Sequence, residues 1–214
     1  MDDIVAVSLI RHGLTKKNIE KRYIGWTDEP LSQKGINDLL DKRLNIPNPD
    51  LVITSDLCRS EKTARLLFPG KNLVLSKQLR EIHFGEWEGA SYEELKDLPG
   101  YRQWLADFKT YAPPKGESYA DFSFRVWKAW QEITSCFSHL KVSEIVVVTH
   151  SGPIRELLAH VAPEKRPFWE WQISHGNGYR LSADRTRMRR GERCTLLQEV
   201  PLTENAVGLK KLIN

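Results

Sequence analysis

Two apolar runs that each end in a histidine and a nearby glycine constrain this chain more than any other feature. The first, Val5-Ala6-Val7-Ser8-Leu9-Ile10, leads into Arg11-His12-Gly13. A short apolar run bounded by glycine reads as a buried parallel strand. Ligands of open α/β sheets bind beyond the C-terminal ends of such strands, so Arg11 and His12 are expected at a site mouth rather than in a core. A guanidinium offers phosphate oxygens a fork of donors. A neutral imidazole can attack phosphorus, and Gly13 lets the backbone approach a ligand closely. Taken alone, a tripeptide of this kind recurs by accident. The second run, Ile145-Val146-Val147-Val148-Thr149, leads into His150-Ser151-Gly152 and then a helix-like segment, Ile154–Leu158. The backbone N–H groups that open that helix form a ready anion site. Two strand-end histidines in a doubly wound fold can converge on one crevice.

The rest of the chain supports an alternating α/β order. Ser32 precedes Ile36, Leu39, Leu40 and Leu44 at helical spacing, and Leu51-Val52-Ile53 is a short strand before a helix over 58–68. Leu73-Val74-Leu75 is another strand. Residues 79–90 read as a loop rich in aromatics and glycine. Ser91 with Glu94, and more loosely Ser118 with Asp121, have the spacing of capping boxes. The second opens a long helix whose stripe, Phe122, Val126, Trp130, Ile133 and Phe137, is core packing. This alternation predicts an α/β fold with a mostly parallel central sheet covered on both faces. At 214 residues, the whole of 1–214 is expected to form a single domain.

Composition excludes several classes of function. No apolar stretch is long enough to cross a bilayer, so no membrane role is expected. The acidic start, Met1-Asp2-Asp3, runs straight into a strand without a leader pattern. Cys58, Cys136 and Cys194 are odd in number, far apart and without metal-ligand spacing, which predicts reduced thiols in a cytoplasm and no metal. The net charge of +4 is too mild to imply nucleic acid. Arg185, Arg187, Arg189, Arg190 and Arg193 cluster around Gly191 between two strand-like runs, which reads as a solvated hairpin tip. No aromatics interleave with that cluster to stack bases.

Further polar residues stand where a phosphate site would need them. Arg59 follows the strand that ends at Ser55, and is either an exposed helix arginine or a phosphate ligand. Glu81 lies in a loop with Phe84, Trp87 and glycines, where partial burial would suit a carboxyl to general-acid work. Asn18 and Arg22 follow the Arg11-His12-Gly13 turn and either reach a phosphate or stabilise the loop.

Together these residues resemble the histidine phosphatase superfamily, which also contains the cofactor-dependent phosphoglycerate mutases. The resemblance covers nearly the whole chain. It rests on Arg11-His12-Gly13-Leu14-Thr15-Lys16-Lys17-Asn18, the stretch Gly25–Ser32 and the segment Ser55–Ala64 around Arg59. It rests also on Glu81–Gly89, Gly116-Glu117-Ser118 and Thr149-His150-Ser151-Gly152. It implies a three-layer α/β/α sandwich and a two-step phosphoryl transfer needing no cofactor. His12 would become a phosphohistidine. Glu81 would protonate the leaving oxygen and then deprotonate water. Arg11, Arg59 and His150 would hold the equatorial oxygens, with Asn18, Arg22, Gly25, Ser151 and Gly152 as further substrate contacts.

One departure is from the group as a whole, and two separate the chain from the mutases. Leu14 stands where the group often has glutamate or glutamine. Ile24 replaces a hydroxyl-bearing residue that contacts the substrate carboxylate, and residues 90–117 hold only Arg102 where an arginine pair is typical. The latter two favour hydrolysis of small phosphorylated metabolites over the alternatives, a mutase or a non-catalytic phospho-ligand binder. Within the phosphatases, Phe84–Glu88 and the aromatic segment Tyr101–Phe108 most resemble α-ribazole phosphatases.

Overall fold

The computed structural model describes residues 3–201. Met1 and Asp2, part of the expected leaderless start, and 202–214, the end of the expected domain, lie outside it. Strands β1 (Ile4–Arg11), β2 (Leu51–Ser55), β3 (Leu73–Ser76), β4 (Glu144–Thr149), β5 (Gly178–Asp184) and β6 (Leu196–Val200) form one sheet. Their order is β3-β2-β4-β1-β5-β6. The first four in this order run parallel; β5 is antiparallel to β1, and β6 to β5. Helices are α1 (Lys16–Ile19), α2 (Gln33–Lys42), α3 (Cys58–Leu67), α4 (Tyr92–Leu95), α5 (Pro99–Ala106), α6 (Tyr119–His139), α7 (Ser151–Val161) and α8 (Arg185–Arg189).

The central strands are apolar at nearly every position because both faces are covered. Val5, Val7 and Leu9 of β1, with Ile145 and Val147 of β4, pack against Phe122, Val126, Trp130 and Ile133 of α6 and Ile154, Leu157 and Leu158 of α7. The opposite pleat, Ile10, Val52, Val146 and Val148, packs against Leu39 of α2 and Ala64 and Leu67 of α3. The result is the expected three-layer sandwich. The Ser118 hydroxyl accepts from the Asp121 N–H and caps α6, so the aromatic stripe starts in register with the sheet. A third apolar cluster, Phe84, Trp87, Leu95, Tyr101 and Trp104, belongs to the excursion between β3 and α6.

The basic cluster differs from its expected form. β5 and β6 are antiparallel neighbours, but α8 joins them instead of a tight turn, because the Asp184 carboxylate caps it by accepting from the Arg187 N–H at 2.8 Å. Two of its arginines are committed to the fold. Arg193 donates to the Ala162 and Ala159 carbonyls at 2.6 and 2.9 Å, closing the end of α7. Arg185 donates to the Phe137 carbonyl in the last turn of α6.

Candidate active site

The parallel register of β1 and β4 sets Arg11 opposite Thr149, so the next residues, His12 and His150, emerge side by side. Their ring centroids are 5.1 Å apart. Main-chain bonds fix the crossing: His12 N–H donates to the Thr149 carbonyl at 2.8 Å, and Gly13 N–H to Thr63 Oγ1 at 2.9 Å. His12 Nδ1 lies 2.7 Å from the Gly13 carbonyl. A carbonyl only accepts, so Nδ1 carries the proton and Nε2 keeps its lone pair. Burial, then the nearby Arg59 and Arg11 guanidinium groups, hold His12 well below the ordinary imidazole range, and it is neutral at pH 7. His150 is pushed down in the same way, by burial first and Arg59 second.

Around these rings, three donor nitrogens are buried without a hydrogen-bond partner among the described residues: Arg11 Nε, Arg59 Nε and His150 Nδ1. Each side chain is anchored through its other atoms. Arg11 Nη1 donates to the Ile173 carbonyl at 2.7 Å. Arg59 Nη1 and Nη2 donate to the Thr27 and Gly25 carbonyls at 2.8 and 2.6 Å. His150 Nε2 is 3.0 Å from Ser55 Oγ and 3.3 Å from Ser60 Oγ; with a serine hydroxyl donating to Nε2, the ring proton is on Nδ1. A buried donor left unpaired costs about 1–3 kcal/mol, so a cluster of three calls for an acceptor with several oxygens. Burial draws Arg11 down to about 10, against the opposing pull of the Glu81 charge.

Glu81 faces this cluster and is 7% exposed. Its carboxylate accepts from Ser151 Oγ and from the Gly152 N–H, each at 3.1 Å. Gly152 must be glycine, because a Cβ there would lie 2.0 Å from Glu81 Oε1. The backbone of the loop is fastened to α6. Arg125 donates to the carbonyls of Gln78, Arg80 and Glu81 at 2.8, 2.6 and 2.8 Å. It also forms a two-pronged ion pair with Glu117. The Trp26 indole N–H donates to the Glu81 carbonyl at 2.9 Å.

The cavity in front of His12 encloses about 430 Å³. Arg11, His12, Glu81, Ser151 and Gly152 line its polar end, whereas Ile24, Trp104, Phe108, Phe122, Phe168 and Trp169 are among the residues that wall the rest. Asn18 lines it too, with Oδ1 committed to Thr15 in the cap of α1. Arg22 lines it, but its guanidinium fastens the Gly89 carbonyl and the Glu20 and Glu94 carboxylates. Gly25, expected to touch substrate, is not among the residues that border the cavity, and neither are Arg59 and His150. The Gly25 carbonyl holds Arg59, and the Gly25 α-carbon packs so closely that a Cβ would lie 2.1 Å from the Ile82 carbonyl.

Several residues of the site escape a reading of the sequence. His175, whose ring lies 5.3 Å from that of His12, is drawn down to about 3, chiefly by burial. Its only signal is its place just before β5. Glu88 accepts from the N–H groups of Gly25, Trp26, Thr27 and Phe84. Burial opposes its charge, but these bonds and the Thr27 hydroxyl outweigh it and hold the carboxyl below its usual range. Among the described residues, no three of His, Cys, Asp and Glu are placed to hold a metal ion together, and no helix is long and apolar enough to cross a membrane.

Comparison with known proteins agrees with this geometry. The family model of the histidine phosphatase superfamily (branch 1) matches residues 7–192. An adenosylcobalamin/alpha-ribazole phosphatase of Escherichia coli K12 is 32% identical over 175 residues, 78% of this chain and 85% of the relative. A 2,3-bisphosphoglycerate-dependent phosphoglycerate mutase of Bartonella bacilliformis is 29% identical, over 70% of this chain and 78% of the relative. The crystal structure of the alpha-ribazole phosphatase from Shigella flexneri superimposes with a TM-score of 0.75 at 27% identity, covering 84% of this chain and 91% of that one.

Proposed function

This chain belongs to the histidine phosphatase superfamily and is a phosphatase, and we propose that it hydrolyses small phosphomonoesters through a phosphohistidine on His12 without a metal ion. The observation that carries this is the triad of unpartnered buried donors around the His12 ring. Phosphoryl transfer asks mainly for positioning and for stabilisation of charge on the equatorial oxygens. Arg11 Nε, Arg59 Nε and His150 Nδ1 would meet those oxygens, supplying the positive charge a metal supplies elsewhere. Asn18, Ser151 and Gly152 border the same end of the cavity.

In the first step His12 Nε2 attacks phosphorus with its lone pair, and the P–O bond to the alcohol breaks. The acid form of Glu81 gives its proton to the departing oxygen and is left as the carboxylate. In the second step Glu81 takes a proton from water, the oxygen of that water forms the new P–O bond, and the P–N bond returns its electron pair to Nε2. Inorganic phosphate leaves, and Glu81 is again protonated. Ile24 in the cavity wall offers no polar contact to a glycerate carboxylate, which favours hydrolysis over mutase chemistry. The ring-lined wall suits an alcohol that carries a ring; α-ribazole 5′-phosphate is one such ester. The free thiols of Cys58, Cys136 and Cys194 fit a cytoplasmic setting.

The test is turnover with labelled phosphomonoesters, quenched in alkali or denaturant because acid destroys phosphohistidine. We expect label on wild-type protein, none on His12→Ala, a loss of about 10⁵ in kcat for that variant, and no loss of activity after exhaustive chelation. Retention of label by His12→Ala, or recovery of chelated enzyme by a divalent ion, would overturn the mechanism. Enzyme-like interconversion of 3- and 2-phosphoglycerate with negligible phosphate release would replace it by a mutase.

A further inference from the structure

Besides the groups that would hold phosphate, the cavity has two hydrogen-bond donors that the mechanism above does not use; one of them, Arg155, lies within electrostatic reach of Arg11 and Glu81. Arg155 sits one turn beyond Ser151 on the same face of α7 and borders the cavity. Its Nε donates to the Trp171 carbonyl at 3.0 Å, which fixes the guanidinium. Its Cζ lies 5.3 Å from the Trp169 ring centroid and 6.0 Å from that of Phe168. Among the described residues, its two terminal nitrogens have no hydrogen-bonding or ion-pair partner; Nε is the one group engaged. The second donor is the Trp104 indole N–H, buried without a partner on a side chain that is 3% exposed and walls the same cavity. Trp169 packs edge-on against Trp104 with centroids 6.5 Å apart, so the two donors share one aromatic wall.

Two donors set among rings, one of them a fixed cation, specify a ligand as closely as the phosphate end does. The rings ask for a flat apolar surface. The donors ask for an acceptor, and the unpaired guanidinium asks that it carry negative charge. We propose that Arg155 and Trp104 form a second anion subsite, selecting phosphomonoesters whose ring-bearing alcohol carries a carboxylate. This rests on the phosphatase reading and narrows its substrate class, ranking ring-bearing esters without a carboxylate, α-ribazole 5′-phosphate among them, below carboxylated ones.

The experiment compares phenyl phosphate with 3- and 4-carboxyphenyl phosphate near neutral pH, where the carboxylates are ionised. The carboxylate barely changes the acidity of the phenol, so intrinsic reactivity is matched and differences report binding. For wild-type enzyme we expect at least one carboxylated ester to be favoured about tenfold in kcat/KM, mostly through KM, the order of one charge-assisted hydrogen bond. In Arg155→Met the ratio falls to about one, and Arg155→Lys keeps part of it. Equal kcat/KM for all three esters with wild-type enzyme overturns the proposal and leaves the phosphatase reading intact. So does an Arg155→Met variant that keeps the ratio but alters leaving-group dependence, which would mean that Arg155 acts on Glu81. Benzylphosphonate and 4-carboxybenzylphosphonate, titrated calorimetrically, separate the two readings. Failure to hydrolyse any ester sinks the phosphatase reading, while tighter binding of the carboxylated phosphonate still supports the subsite and equal binding overturns it.

Discussion

The two ends of the cavity are built on opposite plans. The polar end rests on the sheet: His12 and His150 follow paired positions of neighbouring strands, and their places are set by main-chain register. The apolar end rests on the excursion between β3 and α6 and on the turn at Phe168–Glu170, where rings pack on rings, as Phe108 does on Phe168 and Trp169 at 5.2 and 5.1 Å. Register fixes positions to a fraction of an ångström, as covalent chemistry at phosphorus requires. Ring-on-ring packing fixes a surface but tolerates rearrangement. Chemistry is thus assigned to the rigid frame and selectivity to the replaceable wall.

The sharpest way to break that contrast is Glu81→Gln. Loss of the acid should cost about 10²–10⁴ in kcat for alkyl phosphates and under about tenfold for activated aryl phosphates, whose leaving oxygen needs little protonation. Equal losses on the two classes, measured with glycerol phosphate and 4-nitrophenyl phosphate, would move Glu81 from the chemistry to binding. A smaller effect is expected at the other end. Phe108→Ala removes a half-buried ring, so kcat/KM should fall about tenfold for naphthyl phosphate and stay level for glycerol phosphate. A parallel fall on both esters would show that the wall also serves the chemistry.

The third expectation concerns stability. His12, His150 and His175 have folded-state values depressed by burial, so below pH ~6.5 the unfolded chain binds protons that the folded chain refuses. Stability is therefore fully present above that pH and is lost as pH falls, by up to ~1.4 kcal/mol per pH unit for each fully buried ring. Urea unfolding at a series of pH values between 7 and 5 measures the slope, and His175→Asn should make it shallower. A flat profile would mean that these rings accept protons in the folded state.

The same contrast governs what the sequence reveals. Strand-end histidines are legible because an apolar run, a glycine and a helix start surround each of them, and a sheet places such ends together. Arg59 is open to two readings in the sequence because a helix position does not say which way a guanidinium turns. In the structure it turns inward, held by the carbonyls of Gly25 and Thr27 from a distant loop. Gly25 is legible only in part for the complementary reason: its motif is recognisable, but the contact of its backbone oxygen with Arg59 is not. The Arg125–Glu117 clamp, His175 and Arg155 depend on contacts between segments far apart in sequence, and no local spacing announces them. The basic cluster misled because its charge suggested solvent, whereas Arg185 and Arg193 are spent on helix ends.

The clamp from Arg125 also bears on how such a molecule changes over generations. Because α6 grips the backbone of residues 78–81 directly, the carboxylate rides on the core and not on the loop that follows it. The segment from about 89 to 115 packs on Phe84 and Trp87, beyond the clamp, so a change in it bears on the wall before it bears on the proton donor. A descendant could acquire a different alcohol to release while inheriting its nucleophile and acid unchanged. The fastening at Arg125 would work as an expansion joint, with the alcohol recognised on one side of it and the proton transferred on the other.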